Sequence, residues 1–172
     1  MSELLFNELP RPTFRWLRVN HTVSSLAGED TAVQSIAVEA NKDILSPLPA
    51  GTALLDGNYE GANKEAVHVL VEKAEGYAIN VPPKAKEVVG IRIDANARVA
   101  NRFQFIVGEG AELEVQFYVT GSGDALTNVS YLNEYDVKEA GKVVVKKVNL
   151  LPEHVQHIEH RYTKLEEKAD VE

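Results

Sequence analysis

Phe103-Gln-Phe-Ile-Val-Gly-Glu-Gly-Ala-Glu-Leu-Glu-Val-Gln-Phe-Tyr-Val-Thr120 is the stretch that decides the fold. Apolar and polar side chains alternate on either side of Gly108-Glu-Gly110, the pattern of half-buried strands entered through a tight bend. The phrase Glu109-Gly-Ala-Glu-Leu-Glu-Val115 returns as Glu139-Ala-Gly-Lys-Val-Val-Val145 and again as Glu167-Lys-Ala-Asp-Val-Glu172, at steps of 30 and 28 residues. Each copy is an acidic residue, a small-residue turn and a run of alternating apolar and polar side chains. Recurrence at a nearly fixed step is the mark of stacked coils. The reading is therefore a mainly β chain built as a solenoid.

Outward from this stretch, strands are expected at Tyr77–Val81, Val88–Asp94, Arg102–Val107, Ala111–Thr120, Asn128–Val137, Lys142–Asn149 and Val155–Lys164. Pro82-Pro83 separates the first two, because proline lacks the donor that a central strand or helix needs. Further turns are expected at Gly121-Ser-Gly123, Glu139-Ala-Gly141 and Leu151-Pro152. Upstream, Ala66, Val67, Leu70, Val71 and Ala74 fall three or four apart, which predicts a helix near residues 63–75, capped by Asn63 and closed by a left-handed Gly76. His68 falls off the apolar stripe of that helix and reads as a surface residue. Residues 1–62 form an arm and linking segment, and residues 63–172 the helix and the coils.

The bulk composition limits what the chain can do. Of its 172 residues, 44% are hydrophobic and 26% charged, an ordinary globular balance. A net charge of -8 argues against a general binder of nucleic acid or anionic membranes. There is no cysteine, so disulfides, thiolate metal sites and a cysteine nucleophile are excluded within these residues, in keeping with a reducing cytoplasm. The N-terminus is acidic where a signal peptide is basic, and no apolar run nears the ~20 residues that span a bilayer.

Several residue groups are candidates for chemistry. Leu9-Pro-Arg-Pro-Thr-Phe-Arg-Trp-Leu-Arg-Val-Asn20 gathers Phe14 and the only tryptophan, Trp16, among Arg11, Arg15 and Arg18. It reads either as a docking arm or as aromatic packing with solvated arginines. His154, His157 and His160 are spaced by three; in a strand His154 and His160 share one face and His157 takes the other, so they converge on a metal only with help from a neighbouring coil. Ser24, Ser25, Ser35, Ser46, Ser122 and Ser130 lack a nucleophile-elbow context. Glu109, Glu112, Glu114, Glu139 and Glu167 occupy turn or outward positions of the repeat. No phosphate loop occurs. No catalytic, cofactor-binding or metal-ligating residue is assigned.

Leu9–Asn20, the helix end Glu72-Lys-Ala-Glu-Gly76 leading into Tyr77-Ala-Ile-Asn-Val-Pro82, Val88–Ile93, Phe103–Val115 and Leu165–Val171 together resemble, in order and spacing, the opening half of SufD-like proteins of the SufB/SufD family. That resemblance implies a right-handed parallel β-helix with an α-containing N-terminal region. It also implies a non-catalytic cytoplasmic scaffold that supports iron-sulfur cluster assembly beside a SufB-like paralogue and the SufC ATPase. The cluster would belong to the whole complex, with no cofactor in this chain. The family's proposed Cys and His positions lie beyond the matching part, and none is carried over. The alternative is an all-β sandwich or cupin-like protein binding metal or carbohydrate through His154, His157 or His160, although a cupin's His-x-His pair is absent.

The third copy of the repeat breaks off at Val171-Glu172. An uncovered end coil presents unpaired edges and apolar core. The expectation is a longer β-helix, or an open end covered by a partner or a second copy in a homodimer.

Overall fold

The computed structural model describes residues 4–6, 22–24, 36–56, 64–96, 99–121 and 127–172. Strands β1 (Leu4–Phe6) and β2 (Thr22–Ser24) pair antiparallel with each other. The arm residues Arg11, Arg15, Trp16 and Arg18, the capping Asn63 and the Gly121–Gly123 turn beyond Gly121 lie outside the described residues.

The rest is a flattened parallel β-helix of two five-stranded sheets. One sheet takes β4 (Leu45–Leu48), β5 (Gly76–Val81), β7 (Val99–Val107), β9 (Thr127–Val137) and β11 (Val155–Leu165). The other takes β3 (Ile36–Glu39), β6 (Lys86–Asp94), β8 (Glu112–Thr120), β10 (Lys142–Leu150) and β12 (Asp170–Val171). We call them the first and second sheets. The chain passes from one to the other at every turn, so like strands stack in parallel; only β4 and β3 join antiparallel, at the start. The register Lys86, Glu112, Lys142, Asp170 gives coils of 26, 30 and 28 residues, and the last two steps are those of the repeated phrase.

The phrase marks the tight corner. Pro82–Ala85, Gly108–Ala111, Lys138–Gly141 and Glu166–Ala169 each close with the fourth N–H donating to the first carbonyl, at 2.9–3.2 Å. The third residue of each is left-handed: Lys84, Gly110, Ala140 and Lys168 have φ of 60°, 62°, 55° and 59°. That geometry turns its N–H along the solenoid axis, where Lys84, Gly110 and Ala140 each bond the carbonyl of Glu109, Glu139 and Glu167 in the next coil, at 2.9, 2.9 and 3.0 Å. The turn glutamates are thus markers of a ladder that ties coil to coil.

Between the sheets, alternate side chains fill the interior: Ile79 and Val81, then Val99, Phe103, Phe105 and Val107, then Tyr131 and Tyr135 from the first sheet, facing Val89, Ile91, Leu113, Val115 and Phe117 from the second. Phe105 stacks on Tyr135 at 4.8 Å, its neighbour one coil on, and Phe117 stacks on Tyr131 at 5.8 Å. Rings repeated at one register lock adjacent coils without a change of backbone geometry.

Helix α1 (Lys64–Lys73) covers the outer face of the first sheet, with Val67, Leu70 and Ala74 buried against Leu132 and Ala100. His68 is exposed, as its place off the stripe requires. Gly76 differs from expectation. It is not a left-handed cap but the first residue of β5, and a Cβ there would fall 1.7 Å from the Arg102 carbonyl oxygen. Glycine is needed for close backbone approach.

Candidate functional site

The interior changes character in the last coil. Strand alternation carries Val143 and Val145 inward on β10 at the registers of Leu113 and Val115, and then places Lys147 and Asn149 at those of Phe117 and Val119. On β11 the inward positions are Val155, His157, Glu159, Arg161, Thr163 and Leu165, opposite Val129, Tyr131, Asn133, Tyr135 and Val137 from His157 onward. The expectation of an apolar end coil is therefore corrected. A charged and hydrogen-bonding cluster covers the aromatic core.

Glu159 is the hub. Its carboxylate takes the Lys147 ammonium, accepts from Asn133 Nδ2 at 2.9 Å, and lies 3.9 Å from Arg161 Nη2. Lys147 Nζ also sits 5.0 Å from the Phe117 ring centre and 5.1 Å from that of Tyr131, so the cation rests on the faces that close the apolar core. Arg161 lies over Tyr135 at 5.9 Å. His157 bridges the two sheets: Asn149 Nδ2 approaches Nδ1 at 3.1 Å, and Nε2 lies 3.1 Å from Tyr131 Oη. With the Asn149 amide donating to Nδ1, the imidazole proton sits on Nε2 and is given to the phenol oxygen. Burial, and then the Lys147 charge, lower the His157 pKa from 6.5 against the pull of Glu159, which keeps the ring neutral at pH 7. Burial first, and then Glu159, push the Tyr131 phenol up, and burial raises that of Tyr135. Both stay protonated. Asn133 Oδ1 and Tyr135 Oη are buried without a partner.

The three histidines do not meet. His157 points inward as a bridging group, His160 is on the opposite face of β11 and buried, and His154 precedes the strand in a turn. Among the described residues, no three His, Asp or Glu side chains are grouped to hold a metal ion. Glu112 and Glu114 lie on the outer face of the second sheet, paired at 2.8 Å with Lys86 and Lys146, whose hydrogen bonds hold both carboxyls below their usual range. Of the serines, Ser46 Oγ donates to Ala78 O at 3.4 Å, and Ser130 Oγ is buried without a hydrogen-bond partner.

A second polar group, unforeseen from the sequence, lies on the outer face of the first sheet. Arg102 and Glu134 occupy adjacent coils, both side chains fully buried, with Arg102 Nη2 donating to Glu134 Oε2 at 2.9 Å. They are covered by residues 52–55. Arg102 Nη1 donates to Thr52 O at 2.7 Å, Gln104 Nε2 to Ala53 O at 3.0 Å and to Glu134 Oε2 at 3.1 Å, and Leu55 N–H to Glu134 Oε1 at 2.8 Å. Asp56 then accepts from Tyr162 Oη on β11. The group is a latch that fastens the segment before α1 to three successive coils.

No helix among the described residues is long and apolar enough to cross a membrane. Comparison with protein-family models, with curated proteins and with solved structures finds no match to this chain.

Proposed function

We propose that the chain is a non-catalytic scaffold of SufD type, working in the cytoplasm beside a SufB-like paralogue and the SufC ATPase in iron-sulfur cluster assembly. One observation carries the reading. The phrases that resemble the family fall on the structural units the resemblance implies: α1 running into β5, then parallel coils whose corners are the repeated Glu-containing turns. The long parallel sheets offer broad binding surface. On the second sheet, Val88, Tyr118, Val148 and Leu150 are exposed beside the Lys86–Glu112 and Lys146–Glu114 pairs, a mixed apolar and charged face of the kind that partner subunits cover. Any cluster handled by such a complex would be its cargo, carried by partner residues.

The test is co-purification of the tagged chain with a SufB-like subunit and a SufC ATPase expressed together. Recovery of either in stoichiometric amount is the expected result, and recovery of neither sinks the proposal. Nothing favours the cupin-like alternative: the coils are parallel, and among the described residues no three His, Asp or Glu side chains are grouped to hold a metal.

A further inference from the structure

Gly90 is a glycine that the fold does not require. It stands at an outward position in the middle of β6, its φ is not positive, and an added Cβ would meet nothing nearer than Glu39 Cβ at 3.6 Å, an ordinary contact. Gly76 and Gly110, by contrast, answer to a crossing carbonyl and to a left-handed turn. Glycine inside a strand costs conformational entropy and packs nothing, and one without a local need marks a place where another group comes close.

The missing side chain opens a hollow of about 370 Å³ on the outer face of the second sheet. Register sets Glu39, Gly90 and Gln116 side by side, and Ala37, Arg92 and Tyr118 in the next outward row. The small residues Ala37 and Gly90 make the floor, and Tyr118, with Arg92 over its ring at 5.7 Å, makes a wall. Strand β6 runs between β3 and β8, and β8 between β6 and β10, so the hollow belongs to the middle of the sheet and not to an edge.

That position selects the occupant. Strands with neighbours on both sides have spent their backbone groups on one another, so a segment lying on this face must satisfy its own hydrogen bonds, as a helix does. Helix α1 lies in this way on the outer face of the first sheet. The rim sets the flanking charges. Lys86 with Glu112, and Lys146 with Glu114, match each other across coils, whereas Glu39 and Arg92 are exposed beside Gly90 and form no ion pair among the described residues. Tyrosine and arginine at the wall are the side chains that most often anchor an interface.

We propose that the Gly90 hollow receives a large apolar side chain from an amphipathic helix of a partner subunit, with a basic and an acidic residue of that helix meeting Glu39 and Arg92. The inference rests on the scaffold reading above and names the face, and the kind of element, through which a partner is held.

The test uses the tagged full chain expressed with the SufB-like subunit and the SufC ATPase. Gly90→Leu fills the hollow from within and should cut recovery of the docked subunit about tenfold. Glu39→Lys with Arg92→Glu reverses both rim charges at exposed positions and should do the same, so the charge reversal decides the matter even where Gly90→Leu unfolds. The sequence has no cysteine, so Ala37→Cys supplies the only thiol, and a benzophenone carried on it should cross-link to a helical segment of the docked subunit. Undiminished recovery with the charge reversal, or a cross-link confined to strands or loops of the partner, overturns the helix docking and leaves the scaffold reading standing. Recovery of neither subunit by the parent chain overturns the scaffold reading, and the docking falls with it.

Discussion

Replacing Glu134 by alanine tests the logic of the buried latch. Arg102 and Glu134 have no solvent exposure, so the substitution leaves a guanidinium in the interior with one remaining acceptor, the Thr52 carbonyl, and leaves the Leu55 N–H without its partner. Breaking one side of a buried pair costs about 3–5 kcal/mol, because the surviving charge has lost water and counter-charge together. With a denaturant slope of about 2 kcal/mol/M, the urea midpoint should fall by ~1.5–2.5 M. The double variant Arg102→Met, Glu134→Leu removes both charges and keeps volume, so it should recover to within ~1 kcal/mol of the parent. It will still have lost the Arg102 bond to the Thr52 carbonyl and the Leu55 bond to Glu134, and amide exchange at Leu55 should quicken in both variants. A midpoint shift below ~0.5 M in Glu134→Ala, or a double variant no more stable than the single, would refute this reasoning.

The corner turns predict opposite signs for two conservative changes. Ala140→Gly relieves a left-handed alanine and should stabilise by about 0.5–1 kcal/mol, whereas Gly110→Ala should destabilise by a similar amount, both read by thermal or urea unfolding. Gly76→Ala places a methyl against the Arg102 carbonyl, and the protein should lose the β5–β7 pairing, visible as lost protection of that strand in hydrogen exchange. Burial holds the His157 and His160 pKa values below 6.5, so the unfolded chain binds more protons. Stability is full above pH 6.5 and falls as the pH drops through it towards the folded values. Urea unfolding at pH 7 and pH 5 measures the slope, and His157→Gln should flatten it.

Strand alternation and the repeated phrase made most of the coils readable, and the strands lie within a few residues of where periodicity puts them. The first coil escaped the repeat because its corner is Pro82-Pro83-Lys84-Ala85, which takes the same conformation without the glutamate. Gly76 was misread because a glycine after a helix and a glycine under a crossing carbonyl look alike in one dimension. The Arg102–Glu134 latch was invisible for a different reason. A polar residue on an outward strand position normally meets water, and only the fold brings residues 52–55 over it. The polar cluster of the last coil was written in the alternation of His157, Glu159 and Arg161. Both faces of β11 carry polar side chains, however, so the pattern alone could not say which face turned inward.

The two corners of each coil are not equivalent. From Val81 to Lys86 the chain advances five residues, and Val107 to Glu112, Val137 to Lys142 and Leu165 to Asp170 repeat that step, whereas the opposite corner takes eight, twelve and ten residues between matched positions Asp94–Arg102, Thr120–Leu132 and Leu150–His160. One corner works as a ruler and the other as slack. Every passage through the four-residue turn resets the register, so an extra residue at the slack corner shifts nothing downstream and the inward and outward sets of the next strand are preserved. Insertions and deletions can accumulate along one edge of this molecule without the error spreading, and that edge is where the chain is free to acquire new loops.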